Sequence, residues 1–139
     1  MDVKVHHDFS IVNLDEMNEI YSLVGWTKHT KENIKLVFDA SNVFVFAMEN
    51  GRLVGFGRAI TDGVFNAVIY DVLVHPEFQK QGIARRMMED ILSQLSEVSC
   101  VHLISTTGKE DFYHKIGFKR MKTGMARYIN PNLVSEYLE

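Results

Sequence analysis

Apolar residues recur at helical spacing in two segments near the amino terminus. In residues 13–24, four apolar side chains fall on one face of a helix: Met17, Ile20, Tyr21 and Val24. Asn13 is a residue type that caps helix N-termini, Glu16 follows three positions later as in a capping box, and Gly25 is typical of a helix end. A second segment follows Thr30, another capping residue type, with an apolar stripe of Ile34, Val37 and Phe38. We therefore predict two consecutive helices.

β-branched and aromatic residues replace the helical pattern in the middle of the chain. Residues 43–48 and 53–60 are rich in the side chains that favour strands. Between them, Asn50 and Gly51 form the dipeptide that most favours a type I′ hairpin turn, because both residue types tolerate positive φ. The pattern predicts an antiparallel hairpin.

A second turn, a third strand and a helix are predicted after the hairpin. Asp62 and Gly63 mark the next turn, and residues 67–74 predict a third strand. Residues 82–95 return to helical spacing, with an apolar stripe of Ile83, Met87, Ile91, Leu92 and Leu95. Residues 101–105 predict a strand parallel to the third, since a full helix separates the two.

The two ends of the chain carry weaker patterns. Residues 4–12 predict a first strand from a thin alternation, and residues 109–116 predict a short helix that ends at Gly117. Residues 118–129 predict a final pair of strands around Gly124. Strands and helices in this order predict a mixed α+β fold, and 139 residues are the size of one domain.

Composition excludes several classes of protein. A hydrophobic content of 46% and a charged content of 24% are typical of globular proteins, and a net charge of −3 argues against nucleic acid or membranes as partners. Cys100 is the single cysteine, which excludes an intrachain disulfide; its apolar surroundings favour a core position. Residues 1–7 lack the apolar core of a signal peptide, and no apolar run has transmembrane length, so we expect a cytoplasmic protein.

A glycine-containing loop joins the third strand to the following helix. Residues 79–84 have the sequence Gln-Lys-Gln-Gly-Ile-Ala and lead directly into residues 82–95. Such a loop directs several main-chain N–H groups, together with the positive end of the helix dipole, towards one point. Gly82 would let the backbone approach an anion closely. The loop is therefore a candidate phosphate site, although many strand-to-helix turns contain glycine and bind no ligand.

Two motifs resemble those of the GNAT superfamily of acyl-CoA-dependent N-acyltransferases. Residues 69–84 resemble motif A, in which a strand runs into an Arg/Gln-x-x-Gly-x-Gly/Ala loop, and the matching residues are Gln79, Gly82 and Ala84. Residues 112–118 resemble motif B, Phe-Tyr-x-x-x-Gly-Phe, through Phe112, Tyr113, Gly117 and Phe118. The resemblance implies a single GNAT domain over residues 1–139. Its sheet would be mostly antiparallel and twisted, flanked by helices, with one parallel pair formed by the strands on either side of the helix after the loop.

The same resemblance implies an N-acetyltransferase that uses acetyl-CoA. The acetyl group would pass to a primary amine of a small molecule or peptide by direct attack in a ternary complex. The pyrophosphate would lie on the loop, and the pantetheine arm would pair with strand main chain. The cofactor-binding residues implied are Leu73, Val74, Gln79, Lys80, Gln81, Gly82, Ile83, Ala84 and Arg85. Arg86 is an equal candidate for phosphate contact, and a homodimer is left open. The alternative function is a non-catalytic or regulatory acyl-CoA-binding domain.

For catalysis, the resemblance implies that Tyr113 is the general acid beside the CoA sulfur; the alternative is a packing tyrosine. No general base is assigned. The strand positions where relatives place one are Val68, Tyr70 and Val72. Strict alternation directs Asp71 to the opposite face unless a β-bulge changes its direction, and it is equally well explained as a hydrogen-bonding anchor. Proton loss through ordered water, assisted by Tyr70, is the remaining option.

The resemblance places the acceptor pocket between the two amino-terminal helices and at the turn before the third strand. The residues of interest there are Trp26, His29, Asp62 and Phe65. Each also has an ordinary role, since a loop tryptophan often covers a core and a loop histidine is often solvated. The histidines lack metal-ligand spacing with cysteine or acidic partners, so we predict no metal.

Overall fold

Five strands form one sheet in chain order from edge to edge: β1 (Val3–His6), β2 (Val43–Glu49), β3 (Arg52–Thr61), β4 (Asn66–Val74) and β5 (Cys100–Leu103). Neighbouring strands are antiparallel except β4 and β5, which are parallel. The computed structural model describes residues 2–139. They divide into a first unit that ends at Thr106 and contains this sheet, and a second unit, Thr107–Glu139. The mixed α+β sheet with one parallel pair is thus confirmed.

Three helices in the first unit pack on the sheet: α1 (Leu14–Leu23), α2 (Lys31–Asp39) and α3 (Ile83–Gln94). The predicted caps are confirmed, since Asn13 accepts from the Asp15 N–H at 2.7 Å and Thr30 accepts from the Asn33 N–H at 3.1 Å. Glu16 does not complete a capping box. Its carboxylate instead accepts from the main-chain N–H of Leu53 at 3.1 Å, which fixes α1 to β3.

The sheet is buried on both faces. One face packs against α1 and α2 through a cluster of buried residues: Met17, Ile20, Tyr21, Ile34, Phe38, Phe46, Leu53, Phe56 and Leu73. On the other face, α3 lies close to β3 because Gly55 and Gly57 have no side chains. An added Cβ at Gly55 would lie 3.2 Å from Met87 of α3, and one at Gly57 would lie 3.1 Å from Ile91 of the same helix. Close helix-to-sheet contact follows directly from these glycines.

The second unit contains two short helices, α4 (Glu110–His114) and α5 (Pro131–Tyr137). After α4 the chain turns at Gly117, whose φ of +99° is the left-handed conformation expected of a helix-ending glycine. Asn130 caps α5 by accepting from the Asn132 N–H at 2.9 Å. The apolar pattern of the sequence predicts α4 but not α5.

Three expectations from the sequence are wrong. Residues 118–129, all of which the structure describes, form no strand. Their apolar side chains Met121, Met125 and Ile129 are exposed, so they provide no buried face on which a strand could pack. The first strand ends at His6 rather than reaching residue 12, because a 3-10 turn, Phe9–Ile11, follows it. Cys100 is exposed at the start of β5 and is not a core residue.

Candidate active site

The parallel pair β4–β5 separates partway along β4. Pairing runs from Asn66 opposite Cys100 to Ile69 opposite Leu103. Residues 70–74 of β4 continue to pair with β3 alone. Among residues 2–139 no strand pairs with the other edge of this segment, which includes Leu73 and Val74. Hydrogen-bonding groups on that edge can therefore receive an extended ligand as if it were an added strand.

The loop after β4 leads into the N-terminus of α3, as predicted. Lys80 and Gly82 both have positive φ, +63° and +83°, and Gly82 occupies the N-cap position without a side-chain cap. The main-chain N–H groups of residues 82–85 donate to no acceptor within residues 2–139. These free donors lie at the positive end of a twelve-residue helix. The arrangement favours binding of an anion.

Side chains of the loop divide into two groups. Gln79 returns to β4, where its Nε2 donates to the Val74 carbonyl at 3.1 Å, so it links the loop to the open edge. Lys80, Gln81 and Arg85 are exposed. Within residues 2–139, Arg85 makes one ion pair, at the surface with Glu89. Surface pairs of this kind contribute little, so Arg85 is free to contact a phosphate.

Arg86 has a different role from its neighbour. Its guanidinium donates to the main-chain carbonyl of Val3 and so holds β1 against α3. Of the two arginines that were equal candidates for phosphate contact, Arg86 is therefore committed to the fold.

Asp71 lies at a β-bulge. Arg58 is paired with Tyr70 and Phe56 with Leu73, so two residues of β4, Asp71 among them, face one residue of β3. The φ of Asp71 is +56°. This extra residue directs the carboxylate to the face covered by α1, which strict alternation did not predict.

One carboxylate oxygen of Asp71 accepts hydrogen bonds from two largely buried partners. Arg58 Nε donates to Oδ2 at 2.7 Å, and the hydroxyl of Tyr21 donates to the same oxygen at 3.0 Å. The side chains of Arg58 and Asp71 are only 12% and 10% exposed, which makes this a buried ion pair. Burial, followed by the nearby Asp71 charge, raises the pKa of Tyr21 far above its ordinary value, so Tyr21 stays protonated and donates. The anchoring role proposed for Asp71 has this geometry in its favour.

Two of the four residues expected to line the pocket for the acetyl acceptor, Trp26 and His29, lie together above Tyr21. The rings of His29 and Tyr21 stack with centroids 4.3 Å apart, and Trp26 lies 5.9 Å from Tyr21 and 5.6 Å from His29. Asn18 donates to the His29 carbonyl at 2.7 Å and fixes this loop to α1. Trp26 and His29 thus form an aromatic wall connected through Tyr21 to Asp71.

The other two acceptor candidates lie at the opposite end of β4. Asp62 and Phe65 belong to the turn that precedes β4, about 30 Å from its end for a nine-residue strand. Asp62 Oδ1 accepts three main-chain N–H groups, those of Val64, Phe65 and Asn66. These bonds, that from Val64 first, lower the pKa of Asp62. The structure therefore gives Asp62 a turn-stabilising role, and its place in an acceptor pocket stays a prediction.

Tyr113 belongs to α4 in the second unit. Its ring packs edge-on against Phe112 at 5.1 Å and Phe118 at 6.0 Å between centroids. The Phe118 N–H donates to the Tyr113 carbonyl at 3.0 Å, which closes the turn around Gly117. Burial raises the pKa of Tyr113, so its phenol remains a proton donor at neutral pH and above.

Comparison with known proteins places this geometry in a family. Residues 9–128 match the acetyltransferase (GNAT) domain family. The chain belongs to the GNAT acetyltransferases. It is 33% identical over 120 residues to the uncharacterized N-acetyltransferase ycf52 of Porphyra purpurea, with 82% of this chain and 69% of that protein covered. The chain is therefore an enzyme of the N-acetyltransferase class.

Further relatives agree with this assignment. Serotonin N-acetyltransferase 2, chloroplastic, of Oryza sativa subsp. japonica is 33% identical over 113 residues; 77% of this chain matches it, over 56% of that relative's length. A solved GNAT-family acetyltransferase from Streptococcus pneumoniae TIGR4 superposes with a TM-score of 0.79 at 26% identity, with 94% of this chain and 99% of that one covered. The overall arrangement of strands and helices is thus that of solved GNAT enzymes.

No helix within residues 2–139 has the length and apolar character needed to cross a membrane. Within the same part of the chain, no three His, Cys, Asp or Glu side chains converge as a set of metal ligands.

Proposed function

We propose that this acetyltransferase transfers the acetyl group of acetyl-CoA to a primary amine of a small molecule or peptide. The observation that carries the proposal is the pairing of two features at one end of β4. The open edge of residues 70–74 leads directly into the free N–H groups of residues 82–85. An extended pantetheine arm that ends in a pyrophosphate has the shape and charge that suit these two features.

In this proposal Leu73 and Val74 supply main-chain groups for the pantetheine arm, and residues 79–85 hold the pyrophosphate. The neutral amine nitrogen attacks the thioester carbonyl carbon, the carbon–sulfur bond breaks, and the departing thiolate takes a proton from the Tyr113 hydroxyl. The proton that the nitrogen loses as the amide forms passes through solvent and restores the Tyr113 phenol. Burial raises the pKa of Tyr113, so the phenol carries its proton when the thiolate forms. The family match spans residues 9–128 and so includes Tyr113, which supports a role for this residue in the family's reaction.

We further propose that the acceptor binds beside Trp26 and His29. Their wall is aromatic, and the matched rice relative is named for serotonin, an arylalkylamine. Water is proposed to take the ammonium proton, since the Asp71 carboxylate is held by Arg58 and Tyr21. This engagement of Asp71 is also what would favour the alternative function, an acyl-CoA-binding domain without catalysis.

A panel of amines tests the proposal. The protein and acetyl-CoA are mixed with each amine in turn, and free thiol is measured. The panel contains arylalkylamines including serotonin, aliphatic diamines and short peptides. Thiol release that requires both protein and amine is expected, with the acetylated amine confirmed by mass spectrometry. Tight CoA binding without thiol release from any amine would support the non-catalytic alternative. Absence of CoA binding would contradict both.

A further inference from the structure

His75 is a buried polar residue at the end of β4. It is only 5% exposed, and it separates the open strand edge from the candidate phosphate loop. The 3-10 turn Pro76–Phe78 follows it immediately and leads into Gln79. Neither the GNAT resemblance nor the reaction described above uses its imidazole.

The imidazole ring is held between three parts of the first unit. Nδ1 accepts from the main-chain N–H of Glu77 at 3.1 Å, two positions along the chain. Nε2 lies 3.2 Å from an Nη of Arg52 on β3 and 3.8 Å from a carboxylate oxygen of Glu19 on α1. The main chain is also fixed, since the His75 N–H donates to the Val54 carbonyl at 2.8 Å.

These contacts fix the direction in which the loop leaves the sheet. The Phe78 N–H donates to the His75 carbonyl at 2.8 Å, and the Phe78 ring packs edge-on against the imidazole at 5.7 Å. Arg52 also stacks on the Phe78 ring, with its guanidinium carbon 5.4 Å from the centroid. The next residue, Gln79, starts the loop whose N–H groups are free.

We propose that His75 is a positioning residue for acyl-CoA binding: it caps the turn Pro76–Phe78 and thereby orients the N–H groups of residues 82–85 towards the pyrophosphate. The inference rests on the proposed use of that loop by CoA. A side-chain acceptor at this position is the essential feature, because the Glu77 N–H would otherwise lose its partner.

Asparagine is the matched replacement that separates capping from packing. Asn13 and Asn130 already accept from the N–H two positions ahead, at 2.7 and 2.9 Å, in this same chain. Both His75→Asn and His75→Ala shorten the side chain and lose the contacts with Arg52 and Glu19. Only His75→Asn retains a side-chain acceptor for the Glu77 N–H, an amide oxygen in place of Nδ1, so the difference between the two variants reports the cap.

The test measures CoA affinity by calorimetry and steady-state kinetics for both variants. His75→Ala should raise the Kd for CoA and the KM for acetyl-CoA by roughly fivefold, the loss expected from removing one cap. It should leave kcat and the KM for the amine within about twofold. His75→Asn should restore both constants to within about twofold of wild type. The control Val45→Ala, a fully buried position on β2, should lower thermal stability without changing CoA affinity.

Hydrogen exchange supplies a reading that does not depend on CoA. Exchange at the Phe78 main-chain N–H, which the turn protects, should be faster in His75→Ala than in wild type and close to wild type in His75→Asn. Wild-type protein that fails to bind CoA would contradict the proposed function and leave the exchange measurement to decide the role of His75 in the turn. Equal CoA affinity or equal exchange rates in the Ala and Asn variants would overturn the role proposed for His75, as would wild-type CoA affinity in His75→Ala.

Discussion

Gly82→Val is the substitution that most directly tests the phosphate loop. An added Cβ at Gly82 would have no heavy atom within 4 Å, so the folded protein has space for a side chain there. The cost arises from the backbone, because φ is +83° and a β-branched residue resists positive φ. An L-residue held in this region costs about 1–2 kcal/mol, which for a chain of this size lowers the melting temperature by roughly 3–10 °C.

In Gly82→Val, the loss of binding free energy for CoA should exceed the loss of folding free energy. If the substituted valine relaxes towards negative φ, the N–H groups of residues 82–85 no longer point to one place. Each hydrogen bond lost to a charged group is worth about 1.5–3 kcal/mol, so the Kd for CoA should rise roughly 10- to 150-fold. Calorimetric titration with CoA measures the change directly.

Gly63→Val is the matched control. Gly63 has φ of +78° and also has no heavy atom within 4 Å of an added Cβ, but it lies in the turn before β4, at the far end of that strand from the loop. Its melting temperature should fall by a similar amount while its CoA affinity stays at the wild-type value. A folded Gly82→Val protein with unchanged CoA affinity would refute the assignment of the pyrophosphate to this loop.

Three other substitutions test the remaining parts of the site. Tyr113→Phe should lower turnover by roughly 10²- to 10⁴-fold with little change in CoA affinity, and a loss within a factor of a few would reduce Tyr113 to a packing residue. Since burial raises the pKa of Tyr113, its ionisation should produce no loss of activity below about pH 10. Asp71→Asn should lower the free energy of unfolding by roughly 2–4 kcal/mol because it breaks the buried pair with Arg58. Its pH–rate profile should match wild type; a limb with an apparent pKa between about 5 and 7.5 that is lost in Asp71→Asn at unchanged stability would instead identify Asp71 as the base. Trp26→Ala should raise the KM for an arylalkylamine about tenfold while the KM for acetyl-CoA stays constant. Equal changes in both KM values would contradict the proposal that Trp26 lines the acceptor pocket.

Local patterns predicted most of the first unit. Asn13 and Thr30 are caps in the structure, and Asn50 and Gly51 have the two positive φ values, 49° and 77°, of the predicted hairpin turn. The parallel placement of β5 followed from the length of the helix before it. These features depend on residues close together in sequence, which is why the sequence alone was sufficient for them.

Tertiary contacts decided the features that the sequence did not predict. Glu16 looked like part of a capping box, but its carboxylate binds the Leu53 N–H, 37 residues away. His75 looked only like a strand end before a proline, yet its ring joins β3, α1 and the following turn. No local pattern identifies such partners, since each lies on a separate element. Asp71 is the one exception, because an aspartate at the centre of a predicted strand is unusual and left a β-bulge open as an explanation.

The bulge at Asp71 connects the two sides of the proposed site. Pairing between β4 and β5 ends at Ile69, two residues before it, so the open edge begins where the backbone becomes irregular. The same irregularity directs the Asp71 carboxylate to Tyr21, whose ring stacks on His29 in the proposed acceptor wall. The one inserted residue thus lies next to the strand edge proposed for pantetheine, and its side chain binds Tyr21 below the proposed amine pocket. Strain at Asp71, a non-glycine residue with φ of +56°, is retained because Arg58 and Tyr21 both bind its side chain.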